Sequence, residues 1–192
     1  MKKLLASLAL FVVLSGCASD APMAVKPEVD TSPAINLDVL TVVVVDRSQP
    51  QIGDTPYVSN NFQPTIGNAI RQWATNKLVA TGTTGEAIVV IRESSLKAQA
   101  LPHEDDFFKR QQTSKYTGRA EVEIMVKGRE GQGRVSAEAS RFETLPETPS
   151  SLERQNAYYG LLNGLMRDLT KNLRSGINDH LGAFVVTAPI IR

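Results

Sequence analysis

The chain has 192 residues, 42% of them hydrophobic and 21% charged. This profile sets the expectation of one globular domain with its own core and excludes a disordered or low-complexity protein. Lysine and arginine number 21 against 20 aspartates and glutamates, a net charge of +1, too near neutral to exert a long-range pull on a polyanion, so nucleic acid is not an expected partner.

At the start of the chain Lys2 and Lys3 precede an apolar run from Leu4 to Gly16, interrupted only by Ser7 and Ser15. The run is shorter than the about 20 residues needed to cross a bilayer, and behind a basic start it matches the hydrophobic region of a secretory signal, residues 1–16. Leu14-Ser15-Gly16-Cys17 then resembles the lipobox of bacterial lipoproteins, in which small residues before an obligatory cysteine admit the signal protease. The resemblance implies cleavage between Gly16 and Cys17, diacylglycerol on the Cys17 thiol and an N-acyl chain on its freed amine; no other cofactor and no metal is expected. The alternative is an ordinary signal peptide followed by a chance cysteine. Cys17 is the only cysteine, so no intramolecular disulfide can form. Two or more acyl chains hold a soluble domain at a bilayer where one binds only marginally. Processing would leave 19 basic and 20 acidic side chains on 176 residues. Ala18, in place of the aspartate that retains such proteins in the inner membrane, implies by the same resemblance the outer membrane, facing the periplasm, or the plasma membrane in a source without an outer one.

From Ala18 to Pro33 the chain shows no periodicity and carries Pro22, Pro27 and Pro33. Residues 17–35 are therefore expected to form a lipidated, extended tether, whose stretch from Ala18 to Pro33 reaches roughly 50 Å at about 3.1 Å per residue. The alternative is that part of the stretch packs along the domain through Val25 and Val29. The domain itself is expected over residues 36–192. Its first strand spans Leu37 to Asp46, whose β-branched run Val42–Val45 reads as buried on both faces. A polar loop, Arg47 to Gln63, leads to a helix from Pro64 to Thr81, with Ile66, Ile70, Trp73 and Leu78 near helical spacing and Gly82 as its stop. Ala87 to Arg92 is a second strand, which Ser94 to Leu101 could continue. Tyr116–Lys127 and Arg134–Phe142 each alternate apolar with polar residues and are joined by the glycine-rich Gly128–Gly133, the pattern of a hairpin. Ser150 and Glu153 form a capping box for a helix from Ser151 to Leu181, with Leu162, Leu165, Leu169, Leu173 and Ile177 in one stripe. A strand-like tail, Ala183 to Ile191, follows. The class is α+β, order β-α-β-β-β-α, with an antiparallel or mixed sheet of about four strands.

Few residues point to chemistry. His103 and His180 are far apart in sequence, and neither has a partner at helical metal-site spacing. His103-Glu104-Asp105-Asp106 lacks the spacing of a calcium loop and reads as a solvated acidic loop. The Gly128–Gly133 turn lacks the Lys-Ser/Thr ending of a phosphate loop, no Gly-x-Ser-x-Gly elbow occurs, and Glu121 and Glu123 read as solvating charges on an exposed strand face. Phe107-Phe108-Lys109-Arg110 is the more suggestive segment, since adjacent aromatics and cations can contact acyl chains and anionic headgroups together. Lys115 and Arg119 would extend that basic patch if they face the same way. The bland reading is one core-capping phenylalanine beside ordinary surface cations.

A lipidated cysteine, a proline-containing tether, then strand, helix, three strands and a long last helix together resemble the small periplasm-facing lipoproteins of the YajG kind. More distantly, the layout is similar to the LptE-type and ABC-transport auxiliary lipoproteins. The resemblance covers the element order from Asn36 to Leu181, and only Leu14–Cys17 is a specific motif. It implies helices packed on one sheet face and a non-catalytic role in envelope assembly or transport. The expected protein is a non-enzymatic outer-membrane lipoprotein that docks an envelope protein or lipid through its sheet edge, its exposed strand face or the Phe107 loop. The alternatives are a lipid or glycolipid carrier, which requires an apolar groove between sheet and helices, and an envelope hydrolase, which requires a cleft with perturbed carboxylates or a histidine.

Overall fold

The computed structural model describes residues 23–49, 58–102 and 112–187. In chain order the elements are β1 (Ile35–Leu37), β2 (Thr41–Asp46), α1 (Ile66–Lys77), β3 (Leu78–Ala80), β4 (Glu86–Ala100), β5 (Gln112–Gly128), β6 (Gly131–Pro146) and α2 (Ser151–His180). Single 3-10 turns stand at Ser59–Asn61 and Gly182–Phe184. The main sheet has the order β2-β4-β5-β6, and β1 and β3 form a small parallel pair. The α+β class and the mixed four-stranded sheet agree with the sequence reading, and two three-residue strands are added to the expected order.

β2 pairs in parallel with β4, from Thr41 opposite Glu86 to Asp46 opposite Ile91. Parallel neighbours need a crossover, and α1 supplies it. The valine run is not buried on both faces as expected: β2 is an edge strand, with Val42 and Val44 packed against the core and Val43 40% exposed. β4, β5 and β6 form a long antiparallel meander. The Ser94–Leu101 continuation is real as far as Ala100, and a bulge between Ile91 and Glu93 inserts Arg92. The extra residue shifts the alternation by one position, so that Leu96 faces inward as Ala87, Val89 and Ile91 do before the bulge. The hairpin strands are longer than expected, and Arg129 and Glu130 alone form the turn.

Thr65 caps α1 by accepting from the Asn68 amide. The helix ends at Lys77, four residues short of the expected Thr81. Leu78 fits the helical spacing, but Leu78–Ala80 pairs instead with Ile35–Leu37, a long-range partnership invisible to local pattern. α2 carries the expected capping box, with the Ser150 amide donating to Glu153 and the Glu153 amide to Ser150 Oγ. Its stripe of Leu161, Leu162, Leu165, Leu169, Leu173 and Ile177 is at most 2% exposed. Both helices cover the same face of the sheet: Gly118 of β5 lies under Leu161 of α2 and Ile66 of α1. The strand expected over Ala183–Ile191 is replaced by the 3-10 turn and a single bridge from Val185 to Leu37, with residues 188–192 outside the described residues.

Candidate functional site

From Met23 to Pro33 the chain runs extended along α2, held by side chains of both helices. Asn156 accepts from the Val25 amide at 2.8 Å and donates to the Met23 carbonyl at 3.1 Å. Asn163 repeats the pattern with the Glu28 amide at 2.8 Å and the Lys26 carbonyl at 2.9 Å. The two asparagines stand seven residues apart, about two helical turns, and so share a face. A primary amide carries a donor and an acceptor side by side, so each mimics a neighbouring strand for the segment it holds. Further along, Asp30 accepts from Trp73 Nε1 of α1 and from Ser32 Oγ, Lys77 donates to the Ser32 carbonyl, and Arg174 of α2 donates to Ser32 Oγ and the Pro33 carbonyl. Burial works against ionisation of Asp30, but these hydrogen bonds and the charge of Lys77 outweigh it and hold its carboxyl below the ordinary value. The strap thus lies between the two helices. It is docked by polar groups and not, as the alternative reading had it, through Val25 and Val29: Val29 is 82% exposed.

The strap begins at the end of the domain where α2 begins. At that end Phe62 stacks on Tyr158 with ring centroids 4.4 Å apart and meets Tyr116 edge-on at 5.8 Å. Tyr158 donates to the Pro64 carbonyl and Tyr159 to that of Gln63, and burial pushes the Tyr158 phenol well up. Gln112, the first residue of β5, pairs with Pro146, the last of β6. The connection between β4 and β5 therefore leaves and re-enters the sheet here. Phe107, Phe108, Lys109, Arg110 and His103 within that connection lie outside the described residues, as do Gly16 and Cys17.

Among the described residues no helix packs on the other sheet face, and its register sets charges in rows. Lys115 and Arg119 do share this face. Lys115 Nζ stands 4.3 Å above the ring of Phe142, which is 60% exposed. Glu93, Glu121 and Glu138 lie directly opposite one another across three strands. Glu123, read from sequence as a solvating charge, is only 6% exposed. Hydrogen bonds from Arg92, the bulge residue, together with Arg134 at 3.4 Å, hold its carboxyl below the ordinary value against the opposing effect of burial. On the helix side Arg141 binds Asp168 at 2.6 Å and lowers that carboxyl likewise. His180 is exposed at the last turn of α2. Among the described residues no three His, Cys, Asp or Glu side chains gather as a metal site would require, and no helix is long and apolar enough to cross a membrane.

No family model matches the sequence, and neither does any curated protein. Among solved structures the chain is similar to rare lipoprotein B from Shewanella oneidensis, at 10% identity and a TM-score of 0.39, over 72% of this chain and 95% of that one. It is also similar to a minor lipoprotein from Acinetobacter baumannii, at 8% identity and a TM-score of 0.39, over 73% and 94% of the two chains. A third, a neuraminyllactose-binding hemagglutinin homologue from Helicobacter pylori, gives 6% identity and a TM-score of 0.43, over 80% and 91%. Scores of this size record a likeness in outline and assign the chain to none of these families.

Proposed function

We propose that the protein is a non-catalytic, lipid-anchored envelope protein, held through acylated Cys17 on the periplasmic face of the outer membrane, where it docks a protein or lipid partner. The observation that carries this reading is the strap. Met23, its first described residue, follows Cys17 by six positions, a span of about 20 Å at full extension. A body docked from Met23 onward rides close to the bilayer instead of swinging on a tether of roughly 50 Å. The β4–β5 connection, with Phe107, Phe108, Lys109 and Arg110, leaves the sheet at the same end, which supports a role for that segment in membrane or partner contact.

The non-catalytic reading is supported by the carboxylates. Asp30, Glu123 and Asp168 are all held below their ordinary values by cations and hydrogen bonds, whereas a general acid needs its value raised. The carrier reading asks for space between the layers, and at three glycines among the described residues the layers are in close contact. A Cβ at Gly118 would stand 2.5 Å from Leu161 Cδ2, one at Gly133 would stand 2.5 Å from Leu181 Cδ2, and one at Gly176 would collide with Val135.

Replacing Cys17 with serine is expected to abolish acylation and shift the protein from the membrane fraction to the soluble or unprocessed pool. Wild-type and variant are compared by cell fractionation and immunoblotting. Undiminished recovery of a processed Cys17→Ser protein with membranes would assign the anchor to another group.

A further inference from the structure

We infer that the end of the open sheet face built from Phe142, Lys115 and Arg119 rests on an anionic lipid surface; the inference depends on the reading that Cys17 carries the anchor. The cross-strand register defines this end. Three successive rows on the face, Gln99-Lys115-Thr144, Lys97-Thr117-Phe142 and Ser95-Arg119-Ser140, hold Lys115 and Arg119, together with Lys97, which has a partner of its own, and no acid. The next row is Glu93-Glu121-Glu138, about 7 Å further along the strands.

A lone exposed phenylalanine on a strand is unremarkable. Here the ring lies under Lys115 Nζ and within the cationic zone, so one small surface offers an apolar group at the depth of the headgroup and acyl boundary and ammonium and guanidinium groups to phosphates. The exposed hydroxyls of Ser140 and Thr144 beside the cations add donors for the same oxygens. Placement agrees with charge. Phe142 and Lys115 lie at the end of the sheet where β5 begins and α2 starts, and there the strap approaches from a cysteine at most about 20 Å away. The glutamate row sets the limit of the contact, because three in-register carboxylates are repelled by an anionic surface. The body is thereby tilted, with the Phe142 end down and the far end of the face, at Lys127 and Gln132, raised.

The test uses the acylated full chain, in which Cys17 is the only native cysteine. Ser140→Cys, inside the zone, and Gln132→Cys, on the same face at the opposite end, are labelled with bimane and reconstituted into phosphatidylcholine vesicles with or without phosphatidylglycerol. Quenching is read with doxyl-labelled lipid. The expected result is quenching at residue 140 at least about threefold stronger than at 132, present only with phosphatidylglycerol. Lys115→Glu combined with Arg119→Glu should reduce it to the level at 132, since each cation near such a surface contributes roughly fivefold in partitioning. Equal quenching at both positions, or quenching unaffected by anionic lipid and by charge reversal, overturns the inference and leaves the face to solvent or a protein partner. The label count separates the two readings: one bimane per chain means Cys17 is blocked, so that equal quenching then counts against the lipid contact alone. Two per chain means a free Cys17, and the anchor fails together with the inference.

Discussion

Asn163→Ala is expected to loosen the middle of the strap, at Lys26 and Glu28, while leaving the sheet intact. Asn163 is 9% exposed and is the hydrogen-bond partner of both the Glu28 amide and the Lys26 carbonyl. Alanine keeps the helix and removes both bonds. Leaving a desolvated amide without its partner costs about 1–3 kcal/mol, equivalent to a rise of roughly fivefold to somewhat over a hundredfold in the local opening that governs amide exchange. The surface pair between Arg167 and Glu28, at 3.0 Å with both side chains more than half exposed, contributes too little to hold the segment alone. Exchange at Glu28 should accelerate while exchange at Ile124 in the sheet stays slow, and a glutamate-specific protease should begin to cut between Glu28 and Val29. Unchanged exchange at Glu28 would mean that Asn156 and the Asp30 cluster hold the strap without Asn163. Adding Asn156→Ala removes the Val25 and Met23 bonds as well; the span from Cys17 to the first fixed residue, Asp30, then lengthens to about 45 Å, which makes the double variant a probe of whether closeness to the membrane matters.

Gly85→Ala is expected to destabilise the fold by about 3 kcal/mol or more, and Gly131→Ala by only about 1 kcal/mol. Both glycines have positive φ, +88° at Gly85 and +114° at Gly131, so both substitutions incur the conformational cost of a side chain in that region. They differ in space. A Cβ at Gly85 would collide with the Lys127 carbonyl oxygen and stand 2.8 Å from Gly128 Cα, whereas one at Gly131 meets nothing within 4 Å. Backbone cannot move aside as a flexible side chain can, and β4 enters the sheet immediately after Gly85, against the end of β5. Urea midpoints of the two variants, measured together, separate the steric cost from the conformational one. Equal losses would show that the approach of Gly85 to Lys127 is not tight.

What could be read from the sequence was what short-range pattern encodes. The alternation in Tyr116–Lys127 and Arg134–Phe142, the glycine turn, and the capping box ahead of the α2 stripe are local signals, and each marks an element present in the structure. Elements decided by distant partners were misread. Leu78 looks helical by spacing but pairs with β1, and the valine run looks doubly buried although β2 is left at an edge. The strap escaped because its docking uses main-chain groups and amides, which leave no apolar period. A signal was present in Asn156 and Asn163, two primary amides at heptad spacing on α2, the second of them between Leu162 and Leu165 of the buried stripe. Glu123 was placed on the correct face by alternation, but its shielding comes from Arg92, a residue displaced by a bulge that pattern does not register. The sheet rows behind the Phe142 zone are a product of register, and register is fixed only once the strands are paired.

The proposed membrane anchor comes down to the chemical state of one sulfur. The intact mass of the mature protein extracted from membranes is predicted to be that of a chain beginning at Cys17 plus a diacylglyceryl group and an N-linked acyl chain. A mass equal to unmodified polypeptide, or a first residue other than Cys17, would contradict it.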